Sequence, residues 1–406
     1  MLDARRRLFL KQSLATAATL SLTPGLFAAP YRPQRKVALA VVGCGRQGRE
    51  ILKELAKIEG AVVAALCDPV ESRLSSTQKR HEGSKAYASI DALLAGSPEV
   101  EAVFVASSTH THRPIVEACL AAGKAVYCEA PLAHTAEDAR AIAAAARASS
   151  AVFQSGLLAR VNPIYLLANK FYRSGSIQKT VSLRAAWHKK NSWRASSSDA
   201  SALALLDWKL DPAVSLGLPG EVATHQFDAL SWFTGKTPRS VRGTGAVRLH
   251  DDGRTVPDTI QLEADFGDGL VMLYEASLAN SFEGTHEIVR GTMGAIKLAW
   301  TAGWLFKEAD AETQGWEVYA NRQQFHDEQG ITLIADATKL AAQDKLKDGV
   351  ALPNPPLYYG IETFLKSVTE GAPVACDAGA GLAATLAGIA SHEAVATGAT
   401  VAVSAE

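Results

Sequence analysis

Val37-Ala38-Leu39-Ala40-Val41-Val42-Gly43-Cys44-Gly45-Arg46-Gln47-Gly48 is the stretch whose reading decides the fold. Six apolar residues read as a buried strand. Three glycines follow, and then Glu50 to Ile58 with helical spacing. A strand, a glycine turn and a helix are the parts of a dinucleotide site. Gly43 permits the tight turn, Gly45 lets a pyrophosphate approach the backbone, and Gly48 lets helix and strand pack closely. The helix N-terminus offers free N–H groups to the phosphates. Arg46 and Gln47, inside the turn, join the expected cofactor contacts.

The next strand, Ala61 to Cys67, ends at Asp68, about twenty residues after the last glycine, where the fingerprint places its acid. A carboxylate there accepts hydrogen bonds from an adenosine ribose and repels a 2′-phosphate, which favours NAD over NADP. The competing reading is a turn aspartate before Pro69. Strand and helix signals keep alternating to residue 155. Ala102 to Ala106 reads as a strand, Pro114 to Ala122 as a helix with Gly123 as its cap, and Ala125 to Cys128 as a strand. A helix from Glu137 to Ala148 and a last strand, Val152 to Ser155, complete the alternation. This predicts an α/β fold with a doubly wound parallel sheet over residues 35–156. Ligands bind such sheets beyond the C-terminal strand ends, so Ser107, Thr109, His112 and Glu129 are further cofactor candidates.

The bulk numbers narrow the function. The chain has 406 residues, enough for two domains, and a formal net charge of −1, so no field for nucleic acid is implied. Cys44, Cys67, Cys119, Cys128 and Cys376 lack metal-ligand spacing and read as free core thiols. His110 and His112 have no third ligand cluster, so no metal site is expected. At the N-terminus, Arg6-Arg7-Leu8-Phe9-Leu10-Lys11 precedes a weakly apolar stretch, Ser13 to Ala29, which Pro24 and Gly25 interrupt. It is too short and broken for a membrane span and resembles a twin-arginine export signal. Residues 1–34 are thus expected to be signal and linker, read by the twin-arginine machinery, and the mature protein to be periplasmic or otherwise exported. The alternative is a plain basic N-terminus. No NAD pool exists outside the cytoplasm, so an exported protein would hold its cofactor tightly and regenerate it within each cycle.

Beyond residue 157 the pattern changes. Pro163 to Arg173 reads as a helix with proline at its start, Thr180 to Trp187 as a strand, and 191–218 as a long polar loop. Arg239–Val247, Asp258–Phe266, Val271–Ser277, His286–Arg290 and Ala295–Leu298 read as strands, with hairpin turns at Gly267-Asp268-Gly269 and Gly291–Gly294. Tyr358–Thr369 and Gly381–Thr397 read as closing helices. Residues 157–400 are therefore expected to form an α+β domain with a large, mostly antiparallel open sheet. Gly220 to Trp232 reads as one helix that carries Glu221, His225, Asp228 and Trp232 on one stripe. A glutamate one turn from a histidine favours the imidazolium and can orient the ring.

The chain resembles the Gfo/Idh/MocA oxidoreductases. The matching residues are the glycine turn, Asp68, Thr109 with His112, Ala122-Gly123-Lys124, Cys128-Glu129-Ala130-Pro131-Leu132, Trp187 to Arg194 and Gly220 to Asp228. The resemblance implies NAD held by the first domain and a sugar or polyol as partner. It also implies a homo-oligomer built through the C-terminal sheet. For catalysis it implies His225 helped by Glu221, with His188 and Lys189 as further proton-relay candidates. Arg160, Trp193, Arg194 and Trp208 become substrate candidates. Two departures stand out. The family's usual Glu-Lys-Pro, whose lysine touches cofactor and substrate, is here Glu129-Ala130-Pro131, and Glu221 stands where aspartate is common. The leading expectation is hydride transfer between tightly bound NAD and a carbinol carbon. The alternatives are a redox-neutral glycoside hydrolase or lyase that oxidises the sugar transiently, and a catalytically retired carbohydrate- or NAD-binding protein.

Overall fold

Strand β1 (Val37–Val42) is apolar throughout because helices cover the sheet on both faces. The chain runs on through α1 (Arg46–Leu55), β2 (Ala61–Cys67), α2 (Glu71–Gln78), β3 (Lys85–Tyr87) and α3 (Ile90–Gly96). It continues through β4 (Ala102–Val105), α4 (His112–Ala121), β5 (Ala125–Cys128), α5 (Ala136–Ala148) and β6 (Phe153–Ser155). The six strands pair in parallel in the order β3-β2-β1-β4-β5-β6. The order reverses between β1 and β4, which opens the crevice where doubly wound sheets take their ligands. This computed structural model describes residues 31–197, 200–314, 317, 320–335 and 352–404. The twin-arginine stretch at Arg6–Lys11 lies outside the described residues.

The second domain follows with α6 (Pro163–Arg173), β7 (Thr180–His188), α7 (Ala200–Leu206), α8 (Gly217–Glu221) and α9 (Ala223–Thr234). Asn162 caps α6 through the Ile164 N–H at 3.0 Å, with Pro163 at the first position as its fixed φ favours. Next come β8 (Ser240–Ala246), β9 (Thr259–Asp265), β10 (Val271–Ser277), β11 (Thr285–Gly291), β12 (Gly294–Ala299) and β13 (Ala302–Lys307). Then follow β14 (Arg322–Phe325), β15 (Glu328–Thr332), α10 (Pro356–Glu370), α11 (Ala378–Thr397) and β16 (Val401–Ala402). The ten-stranded sheet has the order β14-β15-β13-β12-β11-β7-β10-β9-β8-β16. Only β7 and β10 pair in parallel; the other neighbours are antiparallel. One face packs Leu183, Leu262, Met272 and Val289 against Phe227 and Phe233 of α9. On the same strands Val181 and Leu273 remain exposed.

Two expectations need correction. The segment 191–218 is not one loop: it holds α7 and a 3-10 turn at Trp208–Leu210. The helix expected over 220–232 is broken at Val222 (φ −125°, ψ −53°), so Glu221 ends α8 while His225 lies in α9. The cause is local. Gly217 takes φ 57°, Pro219 follows, and a Cβ on Gly220 would sit 2.1 Å from the Leu216 side chain. The closing helices also do more than finish the second domain. Phe364 of α10 packs on Phe104 and Tyr127 of the parallel sheet, with ring centroids 5.2 and 5.7 Å apart. Leu382 and Leu386 of α11 join the core over the sheet's other face. The end of the chain thereby fixes the two domains against each other.

Candidate functional site

The glycine turn is packed where it meets the protein and open where a ligand would lie. Gly43 has φ 97°, and a Cβ there would meet the Ala106 carbonyl at 2.4 Å. A Cβ on Gly48 would fall 1.8 Å from the Gly43 carbonyl, so α1 can lie this close to β1 only with glycine. Above Gly45 the sole neighbour of such a Cβ is a guanidinium nitrogen of Arg73, at 3.5 Å. Gly45 begins α1 with no side-chain cap, and the first turn carries no acid. The leading N–H groups are thus free to bind an anion. Arg46 is exposed at the same end. Asp68 is 4% exposed; its carboxylate accepts the Cys44 N–H at 2.7 Å and the Val70 N–H at 2.8 Å. It therefore stands fixed at the end of β2 beside the turn.

The other strand ends are braced in the same manner. His112 is buried, with Nε2 3.2 Å from the Ser107 carbonyl, and Nδ1 3.1 Å from the Leu132 carbonyl and 3.6 Å from the Cys128 thiol. Burial lowers its pKa to about 4, so the ring is neutral and has one N–H to give. Both nitrogens are engaged by the protein, and His112 serves as a brace behind the site. Thr111 donates to the Ser107 hydroxyl at 2.8 Å. Glu129 accepts from the Gln47 amide at 2.8 Å, which ties β5 to the glycine turn. Burial raises the Glu129 carboxyl to about 7. Ala130 brings no polar group; it packs on Leu157, Cys376 and Ala384.

Across from these lies the end of the second domain. Thr109 donates to a carboxylate oxygen of Glu221 at 2.9 Å, a bond that spans the two domains. The other oxygen accepts the Leu216 N–H at 3.4 Å. Glu221 thus spends its oxygens elsewhere than on His225, whose Nδ1 is buried without a hydrogen-bond partner. The expected imidazolium is overturned: burial, and then the neighbouring charge of Lys209, lower His225 to about 4. His225 is a neutral, half-buried base.

Lys209 was not foreseen. Its ammonium lies 5.0 Å from the Trp193 ring centre and 5.3 Å from that of Trp208. Burial holds its pKa below the ordinary lysine value, with the Glu221 charge raising it and the Arg46 charge lowering it. In sequence the lysine sits in a segment that looks like loop, three residues after Leu206, and nothing in its spacing marks it. The Trp208-Lys209 pair inside an otherwise polar stretch was the available signal.

The remaining candidates are placed elsewhere. Arg160 spends its guanidinium on Asp228, with Nε and Nη2 each 2.8 Å from one carboxylate oxygen. This pair borders a cavity of about 330 Å³ between α9 and α11, on the Trp232 side. Arg194 is exposed and forms ion pairs with Asp207 and Asp252, both at 3.1 Å, pinning the segment that carries Trp193. His188 lies 2.8 Å from the Phe282 carbonyl, and Lys189 is exposed beside it. Among the described residues no cluster of three or more metal-ligating side chains exists, all five cysteines are free and buried, and no helix is long and apolar enough to cross a membrane. The strand ends beside the glycine turn thus meet, through the Thr109–Glu221 bond and the His110–Trp208 ring contact, the segments that carry a neutral base and an ammonium over two indoles. That arrangement can hold a dinucleotide and take a proton from a hydroxyl.

Comparison with known proteins agrees. The family model for the NAD-binding Rossmann fold of an oxidoreductase family matches residues 37–157, and the corresponding GFO/IDH/MocA C-terminal domain matches 165–297. The chain is 35% identical over 149 residues to inositol 2-dehydrogenase 2 of Saccharopolyspora erythraea, covering 36% of this chain and 44% of that protein. The match thus spans less than half the length of that relative. It is 29% identical over 270 residues to the inositol 2-dehydrogenase of Acidothermus cellulolyticus, covering 65% of this chain and 73% of the relative. A solved levoglucosan dehydrogenase, in complex with NADH and levoglucosan, superposes with a TM-score of 0.71 at 19% identity, over 91% of this chain and all of that one. That likeness concerns the fold.

Proposed function

The chain belongs to the Gfo/Idh/MocA family of NAD-binding oxidoreductases, and from that premise we propose that it moves hydride between NAD and a carbinol carbon of a sugar or polyol. The observation that carries the reading is the Thr109–Glu221 bond. It seats the segment bearing His225 against the strand ends of the dinucleotide sheet. The relatives named for inositol and levoglucosan supply the substrate class.

The residues present fit the dinucleotide. The first turn of α1 is uncapped, and the space above Gly45 is bounded only by Arg73. Gly43, Gly45 and Gly48 would receive the pyrophosphate and Asp68 the ribose. When bound, the nicotinamide ring supplies the hydride acceptor. His225 takes the hydroxyl proton, for which it must be neutral; its pKa of about 4 keeps it so across the physiological range. Glu221, fixed by Thr109 and Leu216, holds α8 and α9 in place. Trp193 and Trp208 offer flat apolar surfaces to a sugar ring. Asp68 supports NAD over NADP, because its carboxylate, held by two backbone amides, repels a 2′-phosphate. Ala130 also supports a second reading, a redox-neutral cleavage in which the hydride returns to the sugar.

The proposal extends to cell location and assembly. The Arg6–Lys11 stretch supports twin-arginine export to the periplasm, with the dinucleotide loaded beforehand. The exposed Val181 and Leu273 on the open face of the ten-stranded sheet support association of copies through that face.

The test is to purify the protein, identify the dinucleotide that accompanies it, and screen sugars, polyols and aryl glycosides. Hydride transfer with net NADH supports the leading reading. Glycoside cleavage with deuterium exchanged at a sugar carbon and no net NADH moves the assignment to the second. A protein that carries no dinucleotide and binds none ends both.

A further inference from the structure

Lys209 is the charged side chain that the fold places most improbably. It follows Trp208 in a 3-10 turn, its ammonium sits over two indole rings, and no carboxylate lies within ion-pair distance of it among the described residues. A half-buried ammonium without a counter-ion is costly unless something compensates it, and cations over indole faces recover only part of that cost. The titratable and charged groups that face it come from three elements: Glu221 of α8, His225 of α9 and Arg46 of α1. Trp208, beside it, meets the His110 ring with centroids 6.1 Å apart, which brings this turn to the strand end after β4. As a residue Lys209 is only half-buried, so a ligand can reach it.

We propose that Lys209 is a catalytic residue, donating a hydrogen bond to the substrate oxygen whose proton His225 removes and stabilising the negative charge that develops there. It does from the substrate domain what Ala130 cannot do from the dinucleotide domain, since a methyl group has no hydrogen to donate and no charge. In the balanced step the O–H bond breaks and its proton passes to His225. The C–H electron pair leaves as hydride for the nicotinamide dinucleotide, which is reduced as the carbinol carbon is oxidised. An oxygen lone pair closes the carbonyl. Lys209 keeps its protons throughout. This assignment rests on the hydride-transfer reading above.

The test uses the full chain as wild type, Lys209→Met and Lys209→Arg. Removing one such donor lowers kcat by roughly 10²–10³-fold, as for other preorganised donors to an oxyanion. NAD binding, followed by titration, stays within about twofold of wild type. Lys209→Arg recovers at least about tenfold over the methionine variant because the charge is kept. A second readout needs no turnover. In dinucleotide-free protein, the His225 imidazole titration followed by NMR moves upward in Lys209→Met, because a like charge has left its side, and stays near wild type in Lys209→Arg. A methionine variant with kcat within about threefold of wild type, or with an unmoved His225 titration, overturns the assignment. Should wild type itself pass hydride to no polyol, the hydride-transfer reading falls while the titration still decides Lys209: unmoved removes it from the site, and an upward shift keeps it there beside His225.

Discussion

Two polar clusters face each other across the site and are built in opposite ways. On the dinucleotide side Asp68, His112 and Glu129 each have partners in their own domain: two backbone amides for Asp68, backbone carbonyls and the Cys128 thiol around His112, and the Gln47 amide for Glu129. On the substrate side the His225 Nδ1 is buried unpaired, and Lys209 faces indoles where a carboxylate would neutralise it. An unpaired buried polar group costs roughly 1–3 kcal/mol unless a water or a ligand meets it. The first cluster is a rigid mould for a ligand that varies little. The second keeps its donors and acceptors open, which suits a ligand that brings hydroxyls of its own.

The sharpest way to break that contrast is to remove the unpaired base. His225→Ala is expected to lower kcat by ~10²–10⁴-fold, the usual effect of losing a general acid or base, with NAD affinity unchanged. A near-normal rate would take the proton transfer away from His225. The pH profile adds an independent check. With His225 at about 4, kcat/KM should hold across neutral pH and fall only as pH drops toward 4. A limb near the ordinary histidine value would mean that Lys209 and burial do not act on the ring in solution.

The dinucleotide side should answer in stability instead of rate. Glu129 has its carboxyl raised by burial from 4.5 to about 7. Between those values the unfolded chain ionises while the folded one keeps its proton, so the unfolded state binds fewer protons. Stability is therefore fully present below about pH 4.5, falls as pH rises through the window, and levels off above about 7. The slope is about 1.4 kcal/mol per pKa unit, or roughly 3 kcal/mol at most over the window. Glu129→Gln keeps an acceptor for Gln47 and cannot ionise, so the variant gains on wild type across that range. Denaturant midpoints at several pH values measure the difference. Glu287, also raised to about 7, cancels in the comparison. Parallel curves for the two proteins would show that the Glu129 carboxyl is already ionised near its ordinary value.

The contrast also explains what could be read before the structure. The mould is local: Val37 to Gly48 and Asp68 are near neighbours in sequence, and strand period, glycine spacing and a terminal acid encode them directly. The site's other half joins Thr109, Trp193, Lys209 and Glu221 from four separate segments, so no single window contains it. The helical stripe through Glu221 and His225 misled because Gly217, Pro219 and close packing at Gly220 break the helix at Val222. Spacing by four then no longer means one face. Arg160 and Arg194 were substrate candidates by resemblance, but their ion pairs were not legible, since Asp228, Asp207 and Asp252 reach them only through tertiary packing.

The smallest expected effect sharpens the comparison from the mould's side. Asp68→Ala removes a carboxylate that serves both the protein and the cofactor, and the two roles separate by measurement. As a cap, Asp68 holds the Cys44 and Val70 amides, so its loss lowers stability whatever nucleotide is present. As a charge, it repels a 2′-phosphate and offsets Arg73, whose guanidinium lies over Gly45. Without Asp68 that cation is left for a phosphate to meet. The ratio of NAD to NADP affinity should then fall about tenfold, equivalent to roughly 1.4 kcal/mol, in a fluorescence titration of each nucleotide. A protein that loses stability but keeps its preference would confine Asp68 to shaping the turn, and selectivity would then reside in groups that the mould does not contain.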